Sequence, residues 1–175
     1  MSNTTASPSV LLLCLGNICR SPLAEGALRH ELERRGLSWS IDSAGTGAWH
    51  VGEPPDSRSI AVARRHGIDI GGQRARQLIA RDFVEYDWIV AMDTSCLDTA
   101  ERRRPGDPEA RRARLVPFMQ FVPAEVRKGH DVPDPYYGGE RAFQEVWDIL
   151  GQGMPHFVAE VLRVAAVPPS LAPTP

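Results

Sequence analysis

Residues 10–22 read VLLLCLGNICRSP, and this stretch decides the fold and holds the first candidate site. It begins with an unbroken apolar run, residues 10–13, which is too short to span a membrane and is typical of a strand buried on both faces. It ends with Ser21 and Pro22, a preferred N-cap residue followed by proline at the first helical position. The pattern therefore predicts a buried strand, a tight loop, and a helix with Ser21 as its N-cap.

The loop between the predicted strand and helix has the composition of an anion-binding site. Backbone N–H groups at a helix N-terminus point inward and the helix dipole adds positive potential, so the loop forms a cradle for a tetrahedral dianion. This setting favours the thiolate of Cys14, and Arg20 offers a planar fork for two phosphoryl oxygens. Gly16 allows backbone angles closed to other residues, Asn17 tolerates left-handed geometry, and Ser21 can donate its hydroxyl to the Cys14 sulfur.

The pattern Cys-x5-Arg-Ser in CLGNICRS resembles the signature loop of the low-molecular-weight protein tyrosine phosphatases. Leu13 precedes the cysteine, where other cysteine phosphatase classes place histidine, and this favours the low-molecular-weight class. The alternative is that Cys14 and Cys19 only pack at the end of a strand, since cysteine is among the most buried residue types. The resemblance covers about residues 9–165.

A second motif, HDVPDPYYGG, occupies residues 130–139. Asp134 stands between two prolines, which bias it toward extended geometry and can present its carboxyl at a fixed distance. Taken alone, the segment fits an ordinary exposed turn, because Asp, Pro and Gly are common turn residues. However, DPYYG resembles the general-acid loop of the same family and follows the first motif in the same order.

The resemblance implies a protein tyrosine phosphatase, a phosphoric monoester hydrolase that acts through a phosphocysteine intermediate. Cys14 attacks phosphorus, Arg20 stabilises the charge, and Asp134 acts first as acid and then as base. Phosphotyrosine proteins or small aryl phosphates are the expected substrates. The expected substrate-binding residues are Leu15, Gly16, Asn17, Ile18, Cys19, Trp49, Tyr136 and Tyr137. The expected supporting residues are Ser21, Ser43 and Asp93, with Ser43 bonded to Asn17.

Two positions depart from the family pattern, and a third residue has two interpretations. Gln73 stands where animal members of the family have a histidine that joins the asparagine–serine network, and Cys96 stands where asparagine is usual. Cys19 either fills space beneath the loop or traps an oxidised Cys14 as a disulfide. The sequence also leaves open whether a tyrosine kinase is a partner that phosphorylates Tyr136 or Tyr137.

Strands alternating with helices along the chain predict parallel pairing in an α/β sandwich with right-handed crossovers. The family resemblance implies three layers around a four-stranded parallel sheet of flavodoxin-like order 2-1-3-4. We expect one domain over residues 9–166, with disordered segments at residues 1–8 and 167–175. Helices are predicted from Pro22 to a stop at Gly36, over residues 58–66 with Ser57 as cap, and over residues 140–166. Pro155 predicts a kink or break in the last helix.

Composition narrows the class of protein further. The chain has 175 residues, 42% of them apolar and 24% charged, which suits one globular domain, and its net charge of −2 argues against nucleic-acid or anionic-membrane partners. Three cysteines do not form a disulfide framework, the N-terminus lacks the features of a signal peptide, and a catalytic thiolate requires a reducing compartment. The prediction is a cytoplasmic enzyme, with secretion by another route left open. No cofactor or metal is expected, because metal-ligand spacing is absent from the sequence.

Two other functions compete with this prediction. Arsenate reductases share the fold and loop, but they relay a disulfide through two further cysteines, and only Cys96 is available downstream. A phosphotyrosine-binding regulatory module would be expected to lack Cys14, Arg20 or Asp134, and all three are present. The sequence therefore favours the phosphatase.

Overall fold

The structure is a computed structural model that describes residues 7–110 and 112–166. Four parallel strands form one sheet in the order β2-β1-β3-β4. They are β1 (Ser9–Cys14), β2 (Ser40–Gly45), β3 (Trp88–Ala91) and β4 (Arg114–Pro117). The predicted sheet, with its strand order 2-1-3-4 and helices on both faces, is confirmed.

The central strand β1 explains why its sequence is continuously apolar. Val10 and Leu12 point into one apolar cluster, beneath the helices that begin at residues 20 and 140. Leu11 and Leu13 point to the opposite face, where they pack with Phe83 and other buried residues. Because both faces of the strand are covered, Val10 and the three leucines that follow it are fully buried. This is why apolar and polar residues do not alternate along β1.

In the described part of the chain, five α-helices surround the sheet. They are α1 (Arg20–Arg34), α2 (Ser57–Arg65), α3 (Asp82–Glu85), α4 (Thr94–Arg103) and α5 (Glu140–Ala165). Gly36 follows α1 in the left-handed conformation, with φ of 65°, as its predicted role in ending the helix requires. Because none of the described helices is long and apolar enough, none could cross a membrane.

Two predicted helix caps are wrong. The N-cap of α1 is Cys19, and Ser21 is already inside the helix because its hydroxyl is bonded to the Cys14 sulfur and the Asn17 amide. The N-cap of α2 is Asp56 rather than Ser57, and its carboxylate accepts from the backbone N–H of Arg58 and also binds the Arg58 guanidinium. At α1 the Ser21 hydroxyl takes part in contacts within the anion-binding loop, whereas at α2 another preferred N-cap residue, Asp56, stands one position before Ser57.

The predicted break at Pro155 is also wrong, because α5 continues through it. Met154, Phe157 and Val158 are buried on either side of the proline, so packing on the sheet holds the helix together where one N–H donor is missing. Gly153 lets α5 pack closely against the Phe118 ring, since a Cβ at residue 153 would lie 2.7 Å from that ring.

The predicted disordered segments, residues 1–8 and 167–175, fall mostly outside the described residues, which exclude 1–6 and 167–175. Residue Pro8 is described, and its carbonyl accepts a hydrogen bond from Ser40 N at 3.1 Å. The sheet pairing between the first two strands therefore extends back to Pro8.

Pro155→Ala is predicted to stabilise the protein. The substitution restores the missing N–H donor in α5 and should raise the free energy of unfolding by about 1–3 kcal/mol. Urea denaturation measures the change, and Gly151→Ala, at an exposed position with open space, calibrates helix propensity alone at about 1 kcal/mol. A Pro155→Ala variant less stable than the wild type would contradict this account of the helix.

Candidate active site

The candidate site lies at the carboxyl ends of the strands, where parallel α/β sheets bind their ligands. A cleft of about 260 Å³ opens there. Cys14, the last residue of β1, is buried and lines this cleft together with Arg20 and Asp134. The two sequence motifs, more than a hundred residues apart, therefore meet in one cleft.

The Cys14 sulfur has two polar neighbours inside the protein. Ser21 Oγ is 3.0 Å away, and the backbone N–H of Asn17 donates to Sγ over 3.3 Å. Asn17 has φ of 57°, so it is Asn17, rather than Gly16, that takes the left-handed conformation in this loop. Gly16 instead leaves room for the His50 ring, which would lie 3.1 Å from a Cβ at position 16. Donors aimed at the sulfur stabilise a thiolate.

A buried hydrogen-bond network holds the loop from behind. Asn17 Nδ2 donates to Ser21 Oγ at 2.8 Å and to Ser43 Oγ at 3.0 Å, so the contact expected from the family pattern is present. Ser43 Oγ in turn donates to Glu25 Oε2 at 2.8 Å, and Asn17 Oδ1 accepts from the backbone N–H of Arg76 at 2.9 Å. The Asn17 side chain is thus bonded at both its oxygen and its nitrogen.

Gln73, at the position of the family's histidine, lies outside this network. Its Nε2 donates to the carbonyl of Pro22 at 3.2 Å. Its Oε1 is buried without a hydrogen-bond partner among the described residues. Gln73 therefore makes no recorded bond to Asn17 or Ser43.

Arg20 is a buried cation between two carboxylates. Its Nη1 donates to Asp93 Oδ2 at 2.5 Å and to the Val132 carbonyl at 3.1 Å, and its Nη2 donates to Asp134 Oδ2 at 3.3 Å. Burial acts to lower the pKa of the guanidinium, but the negative charges of Cys14, Asp93 and Asp134 outweigh it and raise that pKa. Arg20 therefore stays charged at the floor of the cleft.

Asp93 is fixed from two sides. Its Oδ1 accepts from the backbone N–H of Cys96 at 2.7 Å as the N-cap of α4, and its Oδ2 binds Arg20. Burial acts to raise the pKa of Asp93, but the Cys96 N–H bond and the Arg20 charge outweigh it and hold the pKa below its ordinary value. Asp93 is therefore a carboxylate that orients Arg20, in line with the supporting role expected for it.

Asp134 lies at the entrance, with its side chain 47% exposed. Its Oδ1 accepts from the backbone N–H of Tyr136 at 3.1 Å, which fixes the carboxyl within its own loop. Arg58 steadies the same loop, since its guanidinium donates to the carbonyls of Tyr136 and Gly138. A half-exposed, oriented carboxyl can exchange protons with both solvent and a bound ligand.

The cleft walls are largely aromatic and apolar. All of the predicted substrate-binding residues except Asn17 line it: Leu15, Gly16, Ile18, Cys19, Trp49, Tyr136 and Tyr137. Trp49 and Tyr137 are 72% and 97% exposed, so they form the outer rim, whereas Ile18 is buried deeper. Asn17 differs from the other predicted binding residues, because its side chain points away into the network behind the loop.

All three cysteines are free thiols in buried positions. Burial, followed by the nearby negative charge of Asp56, raises the pKa of Cys19 to about 12, and burial likewise raises the pKa of Cys96. Cys19 and Cys96 therefore remain protonated at neutral pH.

Several contributors to the site were not predicted from the sequence. Glu25 and Arg76 form the two ends of the Asn17 network. His50 lines the cleft, and its Nδ1 lies 2.7 Å from Glu53 Oε2. Arg58 holds the loop that carries Asp134. The contacts of Glu25, Arg76 and Arg58 join residues 18, 59 and 78 positions apart, and the local sequence contains no signal for them. No group of three or more potential ligands is placed to hold a metal ion within residues 7–110 and 112–166.

A nucleophilic thiol, a buried arginine and an oriented carboxyl around an anion-binding loop define a cysteine-based phosphoryl-transfer enzyme on a parallel α/β fold. Comparison with known proteins agrees with this class. Residues 9–166 match the family described as low molecular weight phosphotyrosine protein phosphatase.

Individual relatives match over most of their length. The low molecular weight phosphotyrosine protein phosphatase of Schizosaccharomyces pombe is 43% identical, with 82% of this chain and 90% of that protein covered. The low molecular weight protein-tyrosine-phosphatase YfkJ of Bacillus subtilis is 37% identical, with 89% and 96% covered. A crystal structure of an Entamoeba histolytica protein tyrosine phosphatase superposes with a TM-score of 0.82 at 32% identity, covering 90% of this chain and 99% of that one. This chain belongs to the low molecular weight phosphotyrosine protein phosphatase family.

Gly45→Ala is predicted to displace the anion-binding loop. A Cβ at residue 45 would lie 2.8 Å from the Leu15 carbonyl oxygen and 3.2 Å from Asn17 N, so backbone must move. We expect a loss of about 1–3 kcal/mol in the free energy of unfolding, together with weaker binding of inorganic phosphate. Urea denaturation and calorimetry measure both, and Gly72→Ala, with nothing within 4 Å, is the control. Wild-type phosphate affinity in Gly45→Ala would contradict the proposed close packing.

Proposed function

We propose that this protein hydrolyses phosphotyrosine in proteins, and small aryl phosphates, through a phosphocysteine intermediate on Cys14. The observation that carries the proposal is the Cys14 sulfur at the floor of the cleft, with donors from Ser21 and Asn17 beside it and Arg20 and Asp134 in the same cleft. The aromatic walls suit a phenyl ring. A non-catalytic binding module would have no use for the oriented thiol and carboxyl.

In the first step the Cys14 thiolate attacks phosphorus. The sulfur–phosphorus bond forms as the bond from phosphorus to the phenolic oxygen breaks, and protonated Asp134 gives its proton to the departing oxygen. Loop N–H groups and Arg20 stabilise the charge on the three equatorial oxygens. Nη1 of Arg20 is held by Asp93 and Val132, and Nη2 makes the longer contact to Asp134 at 3.3 Å. In the proposed complex the edge with Nη2 and Nε faces the phosphoryl group.

In the second step water cleaves the phosphocysteine. Asp134, now a carboxylate, takes a proton from the water while the water oxygen attacks phosphorus. The phosphorus–sulfur bond breaks, and the sulfur departs as thiolate. The Ser21 hydroxyl, 3.0 Å from the sulfur, stabilises that thiolate in both steps. Inorganic phosphate is then released, and Asp134 has recovered its proton for the next cycle.

We also propose a phosphotyrosine protein as the natural substrate and a cytoplasmic location. Free cysteines at positions 14, 19 and 96 suit a reducing compartment, and a buried Cys96 on α4 does not suit the mobile disulfide relay of an arsenate reductase. A tyrosine kinase is a further proposed partner, because the Tyr137 side chain is almost fully exposed at the cleft rim.

The first test is hydrolysis of p-nitrophenyl phosphate with a chelator present. We expect turnover by the wild type and a loss of more than about a thousandfold in Cys14→Ser, because the covalent intermediate cannot form. Cys96→Ser, which replaces a buried thiol outside the cleft, is the matched control and should keep its activity. Absence of turnover in the folded, reduced wild type would overturn the proposal and direct attention to arsenate and phosphopeptide binding.

Asp134→Asn is predicted to discriminate between leaving groups. Asparagine cannot supply a proton, so the rate of phosphocysteine formation should fall about a hundredfold or more for phenyl phosphate and much less for p-nitrophenyl phosphate, whose phenolate leaves readily unprotonated. Rates of phosphocysteine formation in single-turnover experiments measure the effect, with Asp131→Asn in the same loop as the control. Equal losses on the two substrates would argue against Asp134 as the general acid.

A further inference from the structure

We infer that Arg76 is a positioning residue that fixes the direction of the hydrogen bonds leading to the Cys14 sulfur. The inference rests on the proposed function, since it concerns the nucleophile of the proposed reaction. It starts from Asn17, whose amide can in principle bind in either of two orientations, with oxygen and nitrogen exchanged. The two orientations have opposite effects on Cys14.

The backbone N–H of Arg76 selects one orientation of the Asn17 amide. This N–H can only donate, so the atom facing it at 2.9 Å must be Asn17 Oδ1. Nδ2 therefore faces Ser21 and Ser43 and donates to both hydroxyl oxygens. The far end of the network agrees, because the Glu25 carboxylate can only accept, and so takes the Ser43 hydrogen.

The orientation of Asn17 decides where the Ser21 hydrogen goes. Because Ser21 Oγ accepts from Asn17, its own hydrogen is left for the Cys14 sulfur at 3.0 Å or for the Ala44 carbonyl at the longer distance of 3.5 Å. In the opposite orientation Asn17 Oδ1 would compete for that hydrogen. The thiolate would then lose a donor.

The Arg76 side chain anchors the backbone that carries this N–H. Its Nη1 and Nη2 bind the two oxygens of Asp82, each at 3.1 Å, and its Nε binds Asp42 Oδ2 at 2.7 Å. Asp82 is buried, and its Oδ2 also accepts from Ile79 N at 2.8 Å. The two-pronged pair closes residues 76–82 on themselves, and the Nε bond ties this segment to Asp42 in β2. Lysine cannot reproduce this geometry.

The backbone of Arg76 is also paired with the end of β2. Two things could therefore position the Arg76 N–H: these backbone bonds and the side-chain ion pairs. Gly45 N donates to the Arg76 carbonyl, and Leu78 N donates to the Gly45 carbonyl, each at 2.8 Å. The assigned role requires the guanidinium pair in addition to these two bonds. If the two bonds sufficed, replacing the guanidinium would leave Cys14 unaffected.

The experiment is a double-mutant cycle between Arg76→Lys and Ser21→Ala. Three quantities are measured: kcat and KM for p-nitrophenyl phosphate, and the rate of Cys14 alkylation by iodoacetamide at a fixed pH of about 6, where the thiolate is the reactive form. In Arg76→Lys we expect kcat and alkylation to fall together by about tenfold, with KM changed less than about twofold. In the Ser21→Ala background the same change should have no further effect.

Arg74→Ala is the matched control, because Arg74 lies two residues away and is exposed. Among the residues that the structure describes, its side chain donates only to the carbonyls of Gly71 and Gln73. It should leave all three quantities unchanged. Circular dichroism and urea denaturation establish folding. Should Arg76→Lys fail to fold, the cycle is run with Asp42→Asn, which weakens the same cluster at its half-exposed member.

Two results would overturn the inference. One is wild-type alkylation and kcat in the folded variant, which would show that the β2 pairing alone positions the N–H. The other is a loss that adds in full to that of Ser21→Ala, which would show that Arg76 acts by another route. Since alkylation needs no substrate turnover, either of these results is distinguishable from failure of the proposed phosphatase activity.

Discussion

The charge of Arg20 has to be neutralised inside the protein, and the site is built around that requirement. A buried guanidinium is strongly unfavourable unless carboxylates and carbonyl oxygens surround it. Its partners, Asp93, Val132 and Asp134, come from the start of α4 and from the loop before α5. One ion-pair cluster therefore holds together the start of α4 and the loop before α5, two segments that are not paired with each other in the sheet. It also leaves the cation beside the Cys14 sulfur, where an arriving phosphoryl group can use it.

The two carboxylates on Arg20 have different environments, and this divides their work. Asp93 is almost buried, caps α4, and has its pKa held below the ordinary value, so it stays charged and orients the guanidinium. Asp134 makes the longer contact, at 3.3 Å, and nearly half of its side chain is open to solvent. Asp134 is therefore the more accessible of the two carboxylates, which suits the acid–base role proposed for it.

The parts of the site predicted from the sequence are those encoded by adjacent residues. Cys14 and Arg20 belong to one loop, and Asp134 is recognisable because DPYYG resembles the general-acid loop of the family, while the buried run of β1 identifies the sheet. Glu25, Arg58 and Arg76 act through contacts across 18, 78 and 59 positions, and no local pattern encodes such distances. The wrong caps and the wrong break have different origins. Ser21 is bonded within the anion-binding loop, and at α2 the neighbouring Asp56 takes the cap in place of Ser57. At Pro155 buried packing keeps α5 continuous.

Gln73, at the position expected for the histidine of the family's animal members, shows what the Asn17 network needs. Gln73 is turned toward Pro22 and contributes no bond to Asn17 or Ser43, yet both atoms of the Asn17 amide are bonded. The network has a donor-only N–H at one end and a carboxylate at the other, and Glu25 is in turn bound by Arg29 at 2.9 Å. Those two ends determine every hydrogen-bond direction between them. This network therefore needs no histidine. The direction of the Ser43 hydroxyl bond is already set by the Arg76 N–H, which can only donate, and by the Glu25 carboxylate, which can only accept.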